Sequence, residues 1–234
     1  MNNKIYNEYF TNRGVELPKP SECYLQKYLL NVIGNDRNMS ILDIGCGYGS
    51  NMFAFLNLGF KNVEGIDVSD EAINYCCNNN LNVKKCDLTE YHGKKFDFVI
   101  MSHVLEHLPK EKIISSLSYV KDNILKDNGR LCIIVPNAQS NTHCYWAYED
   151  FTHNTLFTGG SLIFVLKEAG FKEITFIDID GLDVARNSLV RLFKKFFLNL
   201  YKLNMNFWNR VTSSMWHKPS PVIFTCEIKC IAKK

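Results

Sequence analysis

Ten residues, Ile41-Leu42-Asp43-Ile44-Gly45-Cys46-Gly47-Tyr48-Gly49-Ser50, constrain the fold of this chain more than any other segment. An apolar run of strand character enters a loop with glycine at alternate positions, and a helical pattern over residues 51–58 leaves it. Glycine lets the backbone turn sharply and approach a ligand, while the following helix offers free N–H groups and the positive end of its dipole. Such a turn holds a nucleotide or a carboxylate. The next apolar run, residues 62–66, ends at Asp67, where an acid accepts hydrogen bonds from two ribose hydroxyls. The spacing G-x-G-x-G departs from the dinucleotide pattern G-x-G-x-x-G. A nicotinamide-type site and a turn without ligand remain as weaker alternatives.

The same alternation runs on through the chain. Ser69 and Asp70 cap a helix through Cys77; residues 81–86, 96–101 and 130–135 read as further strands, the last stopped by Pro136. Residues 110–125 and 160–169 have helical spacing, and residues 174–179 and 222–232 close the pattern as two more strands. Short apolar strands alternating with helices specify an α/β fold with a doubly wound, Rossmann-like sheet. Residues 1–38 read as a polar arm followed by one helix, and residues 39–234 as the domain itself.

One segment breaks the pattern. Between the last two strands, residues 184–218 form a basic helical insertion with Arg186, Arg191, Lys194, Lys195, Lys202, Arg210 and Lys218 and no acid from 186 onward. Leu189, Leu192, Phe193, Phe196, Leu200 and Leu203 make an apolar stripe at helical spacing. A compact α/β domain needs only a short connection there. The insertion reads either as a lid or homodimer helix, or as a helix lying on a membrane surface.

Composition narrows the class. The net charge of +3 is too weak to argue for nucleic acid, and no run of 18 uncharged apolar residues exists to span a bilayer. The start carries no apolar signal region, and nine scattered cysteines without a C-x-x-C pair read as reduced thiols. The expectation is a cytoplasmic chain, membrane-peripheral if the insertion touches lipid.

Four motifs in order, Asp43-Ile44-Gly45-Cys46-Gly47-Tyr48-Gly49, Gly65-Ile66-Asp67-Val68-Ser69, Phe96-Asp97-Phe98-Val99-Ile100 and Val104-Leu105-Glu106-His107-Leu108, resemble those of class I methyltransferases that use S-adenosylmethionine. The resemblance covers roughly residues 40–171. It implies a seven-stranded sheet of order 3-2-1-4-5-7-6 with the last strand antiparallel. It further implies that the Gly45, Cys46, Gly47 and Gly49 backbone lies along the cofactor's methionine part and that Asp43 positions its amino group. Asp67, followed by Val68, would hold the ribose, Asp87 and the Leu88 amide would face adenine, and Ser102 and His103 would line the methionine side. The product would be S-adenosylhomocysteine.

A sulfonium methyl is already activated, so transfer is an in-line displacement governed by positioning, with a base to take the acceptor's proton. Three histidines qualify by position: His103 after the fourth strand, and His143 and His153 in the aromatic-rich stretch after the fifth. His153, three residues after Asp150, is the first choice as base or acceptor-orienting residue; bracing a lid is its bland alternative. His103-Val104-Leu105-Glu106-His107 also matches H-x-x-E-H, a zinc-protease signature that needs both histidines on one helix face. Its place directly after a sheet strand argues against proteolysis. A divalent metal assisting acceptor binding, which Glu106 and His107 could support, is a weaker alternative; no metal is expected, since no tight ligand cluster stands out beyond the His103–His107 pair.

The residues after the fourth strand, Met101-Ser102-His103-Val104, are not the Asp/Asn-Pro-Pro-aromatic tetrad of adenine methyltransferases, and no Pro-Cys nucleophile of cytosine-C5 enzymes occurs. A small-molecule or sugar-containing acceptor, as in bacterial surface-polysaccharide or natural-product pathways, is favoured over nucleic acid. The competing reading is a non-catalytic regulatory module that binds S-adenosylmethionine.

Overall fold

The computed structural model describes residues 6, 8–183, 187–215, 217 and 220–234. Seven strands, β1 (Ser40–Ile44), β2 (Asn62–Asp67), β3 (Val83–Lys85), β4 (Phe96–Ser102), β5 (Leu125–Pro136), β6 (Glu173–Phe176) and β7 (Glu227–Lys233), form one sheet of order β3-β2-β1-β4-β5-β7-β6. The first five pair in parallel, and β7 runs antiparallel to both β5 and β6. That is the order expected from the motifs.

Period-2 alternation in the central strands divides the core between two faces. Val99 and Met101 of β4 pack on one face with Leu42, Leu117, Leu131, Ile133 and Leu162. Phe98 and Ile100 pack on the other with Leu29, Ile41, Met52, Phe55 and Cys132. Both faces are covered by helices, so the strands read as continuous apolar runs rather than half-polar ones. The covering helices include α2 (Lys27–Ile33), α3 (Ser50–Asn57), α4 (Asp70–Asn78), α5 (Ile113–Tyr119) and α7 (Gly159–Glu168). The capping box expected of a helix start is complete at α7, where Thr158 and Ser161 exchange side-chain and backbone hydrogen bonds.

Some boundaries differ from the sequence reading. The helix expected over residues 110–125 is a 3-10 turn (Lys110–Lys112), α5 and a single π turn (Val120–Ile124) in succession. The last strand starts at Glu227 rather than at residue 222, because the Asn137 amide donates to the Ile223 and Thr225 carbonyls, each at 2.8 Å, and holds that stretch out of the ladder.

The amino-terminal arm is not a plain polar leader. A short helix, α1 (Tyr9–Asn12), lies against the domain, with Phe10 on Tyr48 at 4.8 Å between ring centroids and Thr11 hydrogen-bonded to Glu71. The insertion is a 24-residue helix; with α6 (Tyr145–Glu149) before α7, it is α8 (Ser188–Val211). Arg191 pairs with Asp183 at 3.0 Å and Lys202 with Asp180 at 2.6 Å, while Tyr201 packs edge-on against Phe224. None of its residues is buried, and Leu192, Phe193 and Leu203 are 64%, 63% and 66% exposed. Arg186 and Lys218, which bound the basic segment, lie outside the described residues.

Candidate active site

The glycine loop is tied to the neighbouring strand before any ligand is considered. Gly45 and Cys46 donate their N–H groups to the Ile66 carbonyl at 2.8 and 3.1 Å. Gly45 has φ +69°, and a Cβ there would collide with the Val104 side chain, so both conformation and space require glycine. Asp67 ends β2 with its Oδ2 accepting the Gly47 N–H at 2.8 Å and Oδ1 the Ser69 N–H at 2.9 Å. Burial raises its pKa against those donors. Asp87 accepts from the Thr89 backbone at 3.0 Å and hydroxyl at 2.9 Å, opening the 3-10 turn (Leu88–Glu90) after β3.

Asp43 is the odd member. It sits inside β1, 1% exposed, and neither carboxylate oxygen has a hydrogen-bond partner among the described residues. Burial pushes its pKa up to about 8; the nearby Asn51 amide, outside hydrogen-bonding geometry, offsets this only in part. A carboxyl left this way answers to a cation or donor brought to it.

At the carboxyl ends of the parallel strands a cavity of about 540 Å³ opens, as expected for an open α/β sheet. Its lining includes Gly45, Asp67, Val68, Asp87, Leu88, Ser102 and His103 from the expected cofactor set, and His153. Cys46, Gly47, Gly49 and Asp43 are not among the lining residues; Phe10 of the arm lies over Gly47, about 3.1 Å from where a Cβ would stand. His143 is exposed in a left-handed turn with φ +50° and does not line the cavity.

The three histidines of His103, His107 and His153 differ sharply in environment. His103, itself in a left-handed conformation (φ +56°), lies between Glu106 Oε1 at 3.1 Å and Glu227 Oε1 at 3.0 Å. The two carboxylates outweigh desolvation and raise its pKa to about 10. At neutral pH the ring is a cation that donates to both acids, which removes it as a base. The H-x-x-E-H stretch is a 3-10 turn (Leu105–His107) rather than an α-helix, so His103 and His107 do not share a helix face. His107 instead points its Nδ1 at Thr152 Oγ1, 2.9 Å away, and burial lowers its pKa.

His153 places Nδ1 2.6 Å from the Trp146 carbonyl, which only accepts, so Nδ1 carries the proton and Nε2 a lone pair. Its Nε2 lies 3.6 Å from Asp150 Oδ2 and 3.9 Å from Glu106 Oε1. The ring is thus oriented by the Trp146 carbonyl and not by Asp150, as the i, i+3 spacing had suggested. Asp150 is occupied elsewhere. It pairs with Arg13 and accepts from Thr152 Oγ1 at 2.6 Å and Tyr9 OH at 2.6 Å, and the Thr152 and Tyr9 donors hold its pKa down to about 2 against burial.

Sequence reasoning missed the arm's part in the site. Tyr6, Tyr9, Phe10 and Arg13 line the cavity, and Tyr6 and Tyr9 meet His107 edge-on at 6.3 and 6.0 Å. The available signal was aromatic content: three aromatics within five residues of an otherwise polar start. Glu227, at the first position of β7, carried no motif signal; only the antiparallel return of that strand brings it to His103.

A family model described as a methyltransferase domain matches residues 21–175. A solved S-adenosylmethionine-dependent methyltransferase from Archaeoglobus fulgidus is 25% identical over 84% of this chain and 86% of its own, with TM-score 0.59. The 1,6-didemethyltoxoflavin-N1-methyltransferase of Burkholderia thailandensis, solved with 1,6-didemethyltoxoflavin and S-adenosylhomocysteine, shares the fold at 16% identity over 99% of this chain and 84% of its own, TM-score 0.55. The ribosomal protein L11 methyltransferase of Lactobacillus johnsonii is 33% identical over 100 residues, 40% of this chain. The chain spans 30% of the length of that relative.

Proposed function

Because the chain belongs to the methyltransferase-domain family, we propose that it transfers the methyl group of S-adenosylmethionine to a hydroxyl or amine of a small-molecule or sugar-containing acceptor, releasing S-adenosylhomocysteine. The observation that carries this reading is a single cavity lined both by Asp67, Asp87 and Ser102 and by His107 and His153. Donor and acceptor therefore have one shared space in which sulfonium and nucleophile meet in line. A volume of about 540 Å³ under an aromatic arm suits a small acceptor better than a duplex.

In this reading Asp67 holds the ribose hydroxyls, Asp87 and the Leu88 amide face adenine, and the glycine loop with Asp43 takes the methionine moiety. Cationic His103 lies on the methionine side with Ser102, where its charge is balanced by Glu106 and Glu227. His153 orients the acceptor and takes its proton through the Nε2 lone pair, a contribution of about 10²–10⁴ in rate.

The exposed face of α8 supports a second element of the proposal. Its apolar stripe, flanked by Lys194, Lys195 and Arg210 with no acid in the helix itself, matches an anionic membrane surface, where lipid-linked precursors of surface polysaccharides would reside. The enzyme would then act in the cytoplasm at the inner face of the membrane. Sedimentation with phosphatidylglycerol vesicles, but not with phosphatidylcholine vesicles, is the expected result; a concentration-dependent dimer indifferent to lipid would assign the face to a second copy.

Calorimetry with S-adenosylhomocysteine, followed by a search for its release from S-adenosylmethionine across hydroxyl and amine acceptors, tests the main reading. Tighter binding of NADH than of S-adenosylmethionine would overturn it. Binding without turnover on any acceptor would favour the regulatory module.

A further inference from the structure

The residues of the H-x-x-E-H stretch that the proposed chemistry leaves unused gather with His153 in a way the sequence does not announce. Glu106, His107 and His153 each offer a ligand atom, and these atoms all lie within 4.8 Å of one another. Glu106 is wholly buried, and the side chain of His153 is 5% exposed.

Their protonation states follow from their outer partners. The Trp146 carbonyl fixes the proton of His153 on Nδ1. Thr152 Oγ1 spends its only hydrogen on Asp150 at 2.6 Å, so it accepts from His107 Nδ1. With Nδ1 so engaged in both rings, Nε2 is the atom each leaves for coordination. Glu106 accepts from His103 through Oε1, while its Oε2 is buried without a hydrogen-bond partner among the described residues. The gaps from His153 Nε2 to Glu106 and Asp150, 3.9 and 3.6 Å, are too long for hydrogen bonds.

The pocket thus gathers two imidazole lone pairs and a carboxylate oxygen with no donor among them. A single proton satisfies one pair of such groups; a cation satisfies all three. Histidines whose other ring nitrogen is held by a carbonyl or a carboxylate-linked hydroxyl are oriented as metal ligands are.

We propose that Glu106, His107 and His153 bind one divalent transition-metal ion of the zinc class, with its open coordination position facing the cavity. Two nitrogens and one oxygen suit a borderline ion better than magnesium. Ligands about 2.0–2.2 Å from a tetrahedral ion stand about 3.3–3.6 Å apart, so side-chain movement of about an ångström closes the set. His107 and His153 both line the cavity, so a fourth ligand can come from there.

The inference rests on the acceptor occupying this cavity and changes what activates it. An acceptor hydroxyl on the ion loses its proton to water, and the O–CH₃ bond forms as the CH₃–S bond breaks. The electron pair stays on sulfur as the neutral thioether. His153 is then a ligand rather than the base. The sequence offered the His103–His107 pair and, as a weaker alternative, Glu106 with His107; folding places His103 between Glu106 and Glu227 and brings in His153 from 46 residues beyond His107.

Full-length protein stripped with a chelator and titrated with Zn²⁺ in a calorimeter should bind one ion, and Co²⁺ should give visible absorption bands of a nitrogen- and oxygen-ligated site. His153→Ala and Glu106→Gln should each weaken binding at least tenfold, with His92→Ala as an unchanged control. Affinity for S-adenosylhomocysteine, measured on the same samples, reports whether the variants fold and whether the methyltransferase reading holds. Intact S-adenosylhomocysteine binding with no Zn²⁺ uptake, or Zn²⁺ uptake unaffected by both variants, overturns the metal site alone. Loss of S-adenosylhomocysteine binding by the unmodified chain overturns the function on which it rests.

Discussion

Asp43→Asn measures how a buried acid in the first strand couples folding, pH and cofactor. An aspartate in an unfolded chain ionises near pH 3.9. In the folded protein burial raises that value to about 8. Between the two pH values the folded state keeps a proton that the unfolded state has released. Stability is therefore full below the unfolded pKa and declines as pH rises toward 8. The slope has a ceiling of about 1.4 kcal/mol per pH unit, or about 3 kcal/mol from pH 5 to pH 7. Structural relaxation around the carboxylate lowers this, leaving about 1.5–3 kcal/mol.

The amide variant has no such proton. Subtracting its urea-unfolding free energies from those of the parent, by tryptophan fluorescence at pH 5, 6, 7 and 8, cancels every other titrating group that the two share. The difference should drift by about 1.5–3 kcal/mol from pH 5 to pH 7. A difference constant with pH would refute the assignment of a buried, unpartnered acid. Ligand binding gives the second readout. In the proposed placement the ammonium group of S-adenosylhomocysteine lies beside Asp43 and would favour its ionised form, so binding at pH 6.5 should release a proton. Calorimetric enthalpies should then vary with the buffer for the parent and not for the variant.

Three further outcomes are expected. Asp67→Ala should weaken S-adenosylhomocysteine at least tenfold, since hydrogen bonds to a charged group contribute about 1.5–3 kcal/mol; unchanged affinity would move the ribose elsewhere. His103, raised to about 10 from an ordinary 6.5, adds stability that is whole below pH 6.5 and lost as pH rises through 10, so His103→Gln should flatten the melting-temperature profile between pH 7 and 10. Parallel profiles would mean that the ring is not held as a cation. Tyr9→Phe removes a 2.6 Å bond to Asp150 and should speed amide exchange in α1 about tenfold while raising the acceptor KM more than the cofactor Kd; equal effects on both would give the arm no special place over the acceptor.

Local sequence was sufficient wherever neighbours in the chain are also neighbours in the site. The run from Ile41 to Ser50 determined a strand, a turn that only glycine permits at Gly45, and a helix start. Asp67 followed because a parallel crossover of that length returns the next strand beside the first. Apolar strands alternating with helices determined a doubly wound sheet, since each face had to be covered; the strand order followed from the resemblance of the four motifs to class I methyltransferases. What the sequence left open depends on contacts between distant segments. His103 and His107 looked like a helical pair, but the left-handed turn at His103 and the antiparallel arrival of β7 gave His103 to Glu227. Held between Glu106 and Glu227, that histidine is a cation, while His107 and His153 face Glu106. His153 gained its tautomer from the carbonyl of Trp146, and Asp150 lost its expected role to Tyr9 and Arg13 of the arm. Periodicity reports which side of an element is buried, whereas protonation and pairing depend on which remote charges the closed fold places within a few ångströms.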